Sequence, residues 1–319
     1  MTGYSRRDVL QVAAAAIAST AVSHLSASSI PRIAGRRFTM DLRCGSLGVE
    51  ADQKQAMDLA AKYGFESVTP EAEYLATLSD AQSTELVSQL KQMKLVWGAG
   101  SMSVDFRSDE PTFQNGLRQL PKHAAALQRA GVTRTGTWLN PGSNELTYVA
   151  NFRQHTRRLR ECVKILNDNG LRFGMEYVGP KTLWASVQHP FIHSLAETRD
   201  LIAEIGQPNV GVILDSWHWY TAHETIDTLK TLTNADIVAC DLNDAPAGIA
   251  IDEQLDQRRE LPCVTGVIDL KGFLSALVEL QYDGPVRAEP FNEALNKLAN
   301  DPAVNATAVA IKRAFALVD

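Results

Sequence analysis

From Thr39 onward the chain alternates short apolar runs with longer amphipathic stretches. A short apolar run bounded by turn residues fits a strand buried on both faces, and apolar residues three to four apart fit a helix packed by one face. The spacing predicts strands at Met40–Gly45, Phe65–Thr69, Leu95–Ala99, Val132–Leu139, Leu171–Tyr177, Val210–Asp215, Ile237–Leu242 and Pro285–Pro290. It predicts helices at Asp52–Tyr63, Asp80–Met93, Pro111–Ala130, Thr147–Asn169, Ser194–Ile205, Thr221–Leu232, Asp269–Leu280 and Pro302–Leu317. Gly64, Gly131 and Gly170 stand where three of these helices stop. Repeated strand-helix units at this length leave a closed barrel or an open doubly wound sheet. No glycine-rich dinucleotide fingerprint follows the first strand, which weighs against the open sheet. The expected fold is therefore α/β, a (β/α)8 TIM barrel over residues 38–319.

Four of the apolar runs end in an acid: Glu176, Asp215, Asp241 and Glu289. A charge at the end of a buried strand is costly unless something pairs with it. In a barrel all strands end at one face, where the loops carry the chemistry, and these acids come from four consecutive strands. Period-two alternation lets all of them point inward. A divalent cation is the simplest partner for such a gathering. His218 follows three residues after Asp215. The blander reading of Asp215 is a helix cap, and that of His218 a satisfied core histidine.

Composition narrows the function little. The chain has 319 residues, 45% hydrophobic and 21% charged, as in ordinary globular proteins. A net charge of -6 and the lack of a basic, aromatic-interleaved run argue against a nucleic-acid partner and leave small molecules. The four cysteines show neither zinc nor disulfide spacing. Residues 1–37 read as a signal segment and linker. Ser5-Arg6-Arg7-Asp8-Val9-Leu10 leads into an alanine-rich apolar stretch and then small residues. The paired arginines resemble a twin-arginine export signal, which implies a periplasmic location, with a cytoplasmic one as the alternative. The apolar stretch is too short for a stable membrane span.

Beyond this alternation, five segments resemble one known group, the xylose isomerase-like TIM barrels with their sugar-phosphate isomerases and epimerases. They are Gly174-Met-Glu176-Tyr-Val-Gly-Pro-Lys181, Leu214-Asp215-Ser-Trp-His218, Asp241-Leu-Asn-Asp244-Ala-Pro, Glu260-Leu-Pro262 and Gly284-Pro-Val-Arg-Ala-Glu289-Pro-Phe291. The resemblance implies a Mn²⁺, Mg²⁺, Co²⁺ or Zn²⁺ ion held at Glu176, Asp215, Asp241 and Glu289. His is usual where Asp241 stands, and the extra carboxylate favours Mn²⁺ or Mg²⁺ over zinc. It further implies that Glu176 and Glu289 act as acid and base on a small polyhydroxylated carbonyl compound, through an enediolate steadied by the metal. On that pattern His218 bonds a substrate oxygen, and Lys181, Trp217, Arg258 and Arg259 contact substrate. The bland readings are packing for Trp217 and solvation for Arg258 and Arg259.

Three functions compete. The first is a sugar isomerase or epimerase. The second is a lyase or dehydratase on a keto-sugar, cyclitol or 3-keto-glycoside, since the same intermediate can expel a neighbouring group. The third is a sugar-binding barrel whose chemistry has lapsed. An endonuclease on this fold would need more histidine ligands and a basic surface. The sequence leaves homo-oligomerisation open.

Overall fold

The computed structural model describes residues 35–319, and Gly35–Asp319 form one compact unit. The signal segment expected at the N-terminus lies outside the described residues, apart from its last positions. Of these, Arg36 is no free linker. It pairs with Glu66 at 2.7 Å and lies over the Phe315 ring, which ties it to the end of the barrel where the strands begin.

Nine strand segments form one sheet in which every pairing is parallel. The first seven strand positions in the chain include Thr39–Leu42, Ser67–Val68, Arg134–Trp138, Arg172–Glu176, Val210–Asp215 and Ile237–Asp241, and Pro285–Arg287 is the eighth. The third position is split into Val96–Trp97 and Gly100–Ser101, which lie at opposite ends of the sheet order. Only Gly98 and Ala99 separate them, so the sheet curls until its two ends meet in one interrupted strand. That is the expected eight-fold barrel. The interruption has a cause: a Cβ on Gly98 would fall 2.2 Å from Asp41 Oδ1, and the Ala99 carbonyl accepts from Arg287 instead of from a strand neighbour.

The helices follow the predicted stretches with one exception. The stretch expected as Thr221–Leu232 is two short helices, Ser216–Thr221 and Ile226–Leu229. The Asp215 carboxylate accepts from the Trp217 amide and starts the first helix directly at the strand end. His223, at φ 57°, breaks the run.

Two apolar layers result. A large one lies between the sheet and the helices, and a small one, Ala99, Ile213 and Ala239, fills the barrel's middle. Gly136 and Gly174 make room for it; a Cβ on Gly174 would meet Ile213 at 2.8 Å. Below, Arg134 and Arg172 plug the floor by donating to the carbonyls of Ile237, Val238, Asn234 and Ala235. Above lies the acidic mouth.

His155, on the helix Tyr148–Asp168, is buried between the rings of Phe106 and Phe191, and its Nε2 has no partner among the described residues. Burial lowers its pKa from 6.5 to about 4. Between these values the unfolded chain binds the extra proton, so stability is complete above 6.5 and falls as the pH drops toward 4. A shift of that size is about 3 kcal/mol. His155→Phe keeps the ring stack and is expected to remove this part of the acid sensitivity, read by urea unfolding at neutral and acidic pH. An unchanged pH dependence would contradict it.

Candidate active site

Gly136 and Gly174 face inward against Ile213, so residues two further along each strand, Trp138, Glu176 and Asp215, share that face. Register places Trp138 level with Glu176, Asp215 level with Asp241, and Asp241 level with Arg287. Glu289 lies two residues beyond Arg287. The four strand-end acids thus gather at one mouth, all of them buried.

Their partners differ, and that divides their roles. Both oxygens of Asp241 are held by Arg287, at 2.7 and 3.1 Å. Asp215 accepts from Arg259 at 2.8 Å, from Asn243 Nδ2 at both of its oxygens, and from Trp217 N. Glu289 accepts from Arg43 at 3.1 Å. Glu176 is different: its Oε1 is buried with no hydrogen-bond partner among the described residues. Burial, then the charges of Glu289, Asp241 and Asp215, hold the Glu176 carboxyl well above its ordinary range. Burial likewise raises Asp215 to about 7 against the pull of Arg259. Behind the cluster, burial raises Asp41 to about 6, with Arg287 opposing.

The donor set suits a divalent cation. Oxygens of Glu176, Asp241 and Glu289 lie within 4.8 Å of one another, as do ligand atoms of Glu176, Asp215 and His218. The first trio is the better cradle. Each carboxylate oxygen has a second lone pair, so a guanidinium does not exhaust Asp241 or Glu289. An all-oxygen set of this kind suits a hard ion.

His218 fits another part. Burial, then Arg259, depresses its pKa to about 3, so the ring is neutral. Its Nδ1 accepts from the fixed Gly179 amide at 3.2 Å. A neutral imidazole carries one proton, which this contact puts on Nε2. That nitrogen faces Glu176 at 4.0 Å and Asp215 at 3.9 Å as a donor, not as a ligand. Arg259 Nη2 lies 3.3 Å from the same nitrogen and can donate to it only in the other tautomer, so it competes with the Gly179 amide for the ring.

The expected substrate contacts scatter. Arg259 is buried, and four of its N–H groups go to Asp215, the Glu289 carbonyl, and the side chain and carbonyl of Asp256. It is an internal counter-charge, which corrects both the substrate and the solvated readings. Trp217 is fully buried with Arg259 5.6 Å from its ring, and so packs beneath the site rather than lining it. Arg258 is exposed on the loop. Lys181 is exposed at the rim and pairs with Asp252 at 2.7 Å, which also meets His223. Asp244 anchors the loop's two ends by accepting from Ala245, Thr265, Gly266 and Ile268 amides.

Arg43, Asn243 and Arg287 escaped the sequence reading as site residues. A signal existed for Arg287: it sits at an inward position of an apolar strand, where an arginine needs a buried acid. Asn243 orients the cluster, giving its amide group to Asp215 and accepting from the Glu289 amide.

The profile of the xylose isomerase-like TIM barrel family matches residues 57–313. The chain belongs to this family. Among curated relatives, the inosose isomerase of Bacillus velezensis is 28% identical over 151 residues, covering 46% of this chain and 49% of that one. The 3-dehydroshikimate dehydratase of Pseudomonas aeruginosa is 30% identical over 169 residues, covering 52% of this chain and 25% of that one. The chain thus spans about half the length of the isomerase and a quarter of the dehydratase. Among solved structures, a xylose isomerase domain protein from Alicyclobacillus acidocaldarius superposes with a TM-score of 0.75 at 29% identity, covering 85% of this chain and 96% of that one. The IOLI protein with a binding zinc atom superposes with a TM-score of 0.73 at 19% identity, covering 88% and 99%; at that identity the likeness shows the family fold alone. No helix of the described residues is long and apolar enough to cross a membrane.

Proposed function

We propose that this family member is a divalent-metal-dependent enzyme that moves a proton next to the carbonyl of a small polyhydroxylated compound, as an isomerase or epimerase. The observation that carries the reading is Glu176: a buried, unpartnered carboxyl within 4.8 Å of Glu289 and Asp241 oxygens. Glu176, Asp241 and Glu289 would hold the ion, with Asp215 beside them. When bound, the ion supplies positive charge beside the substrate's carbonyl and hydroxyl oxygens. Glu176, in its ionised form, takes the proton from carbon, and Glu289 returns one from the other side. His218 Nε2–H donates to a substrate oxygen and orients it. Mn²⁺ or Mg²⁺ suits the oxygen donors; the zinc of the IOLI protein keeps Zn²⁺ among the ions to be tried.

The likeness to a dehydratase supports a second reading, elimination from the same starting proton transfer. Product mass separates the two: an isomer keeps it, and dehydration loses water. A panel of keto-sugars and cyclitol ketones with Mn²⁺ present is the assay. Export by the Arg6-Arg7 segment remains our proposal for location, tested by periplasmic fractionation of the Arg6→Lys, Arg7→Lys variant.

Metal binding has its own test. Mn²⁺ at 100 times Kd is expected to stabilise chelator-treated protein by about 2.7 kcal/mol, read as a rise in Tm. The Glu176→Gln, Glu289→Gln double variant should lose most of that rise. No rise with Mn²⁺, Mg²⁺, Co²⁺ or Zn²⁺ would favour a non-catalytic sugar-binding barrel, in which the arginines alone balance the acids.

A further inference from the structure

We infer that Arg287 turns Asp241 into the equivalent of an uncharged metal ligand, and so sets how loosely the acidic mouth holds its ion. The inference rests on the metal-dependent reading of the carboxylate cluster and deepens it. Arg287 acts through Asp241, since a guanidinium has no lone pair to give an ion.

A buried ion pair by itself carries nothing, since such pairs are often structural. This pair differs in its place. An Asp241 oxygen lies within 4.8 Å of ligand atoms of Glu176 and Glu289, so the pair borders the space a cation would fill. The four acids are also balanced unequally. Glu176 Oε1 has no partner among the described residues. Glu289 is met at one oxygen by Arg43, a partly exposed side chain, and Arg259 stands 3.6 Å from the other. Asp215 has Arg259, but that guanidinium is shared with Asp256. Of the four, only Asp241 has both oxygens in the fork of a single arginine, with Arg287 Nε and Nη2 at 2.7 and 3.1 Å and both residues buried.

The fork has two consequences. It takes the lone pairs in the notch between the two oxygens, so Asp241 keeps only outward ones and offers an ion a single oxygen. It also sets a positive charge against the ligand's negative one, with little water to screen either. The guanidinium is not free to turn away. Its Nη1 donates to the Ala99 carbonyl at the strand interruption, and the charge of Asp41 faces it from behind. A cation at this place therefore has Glu176 and Glu289 as its anionic ligands and Asp241 as a nearly neutral oxygen donor. Such a site binds less tightly than three free carboxylates would.

Mn²⁺ Kd is measured by calorimetry on the chelator-treated full chain at neutral pH, with circular dichroism to confirm folding. If Arg287 merely orients Asp241, its removal weakens binding about 10–100-fold, as loss of a ligand's supporting contact usually does. The opposite is expected. Arg287→Leu tightens Mn²⁺ about tenfold, because the bare carboxylate then meets the cation. Mn²⁺ should also raise the Tm of this variant by more than that of the unmodified chain. Three further variants carry the test even where the leucine protein fails to fold. Arg287→Lys keeps the charge without the fork and should leave Kd within about threefold. Asp241→His, Arg287→Leu puts an uncharged ligand in place of the pair and should leave it within about fivefold. Asp241→Asn leaves Arg287 facing the ion alone and should weaken it about 100-fold. A folded Arg287→Leu chain with unchanged or weaker Kd, lost binding in the histidine variant, or an unchanged Kd in Asp241→Asn each overturn the inference while the metal reading stands. No Mn²⁺ binding by the unmodified chain overturns both.

Discussion

Glu176→Gln is expected to lose proton exchange by on the order of 10²–10⁴-fold while the protein becomes no less stable. Both halves come from the same fact. In the folded chain the Glu176 carboxyl is buried and its Oε1 has no donor, so its pKa lies well above the ordinary value of 4.5. A carboxyl raised in this way binds protons more tightly folded than unfolded. Its contribution is therefore complete below 4.5 and is lost as the pH rises through the folded pKa. Glutamine occupies the same volume without a charge, so in chelator the variant's stability should hold toward neutral pH where the unmodified chain's declines. Urea unfolding across that range, set beside α-proton exchange in D₂O with Mn²⁺, reads both quantities. Exchange at the unmodified rate would remove Glu176 as the base. A variant markedly less stable at neutral pH would mean that the carboxylate has a structural partner.

Arg287→Leu is expected to be the most damaging single change, at about 3–5 kcal/mol, because it leaves a buried charge without its partner. Arg287 holds both oxygens of Asp241 and the Ala99 carbonyl at the strand interruption, and its charge faces Asp41. The loss therefore falls on two buried acids and on the seam of the barrel. Most of it should return in the Asp241→Leu, Arg287→Leu double variant, since apolar residues of similar size often replace a buried ion pair at little cost. A double-mutant cycle by urea unfolding gives the coupling. A single-variant loss below about 1 kcal/mol would show that the pair is solvated in solution, as surface pairs are. The double variant should also lose Mn²⁺ affinity, because Asp241 supplies an oxygen to the trio.

The eight-fold alternation was legible because strand and helix periods differ and the chain switches cleanly between them. The strand-end acids were legible for a related reason: a carboxylate closing an apolar run is conspicuous. The third strand's break was not, since it depends on Asp41 pressing against Gly98 from the first strand. Nor was the shortened helix after Asp215, where a single backbone angle at His223 outweighs a good periodic pattern. The arginines were hardest. Arg287 and Asp241 are 46 residues apart and Arg259 and Asp215 are 44, so which guanidinium meets which acid is decided only when the strands are in register. Local composition made Arg258 and Arg259 look alike. The fold buries one in the cluster and leaves the other in water.

The loop from Asn243 to Gly266 carries two kinds of fastening. At its tip, Asp252 clasps Lys181 and His223 through exposed pairs of the sort worth about 1 kcal/mol or less. At its root, Asp244 gathers four amides, and Arg259 sits beneath as the counter-charge of Asp215. Lifting the tip therefore costs little, whereas peeling the whole segment would strand a buried anion. Loop and counter-ion are one piece of chain, so any displacement of the segment beyond its tip disturbs the charge balance beneath it.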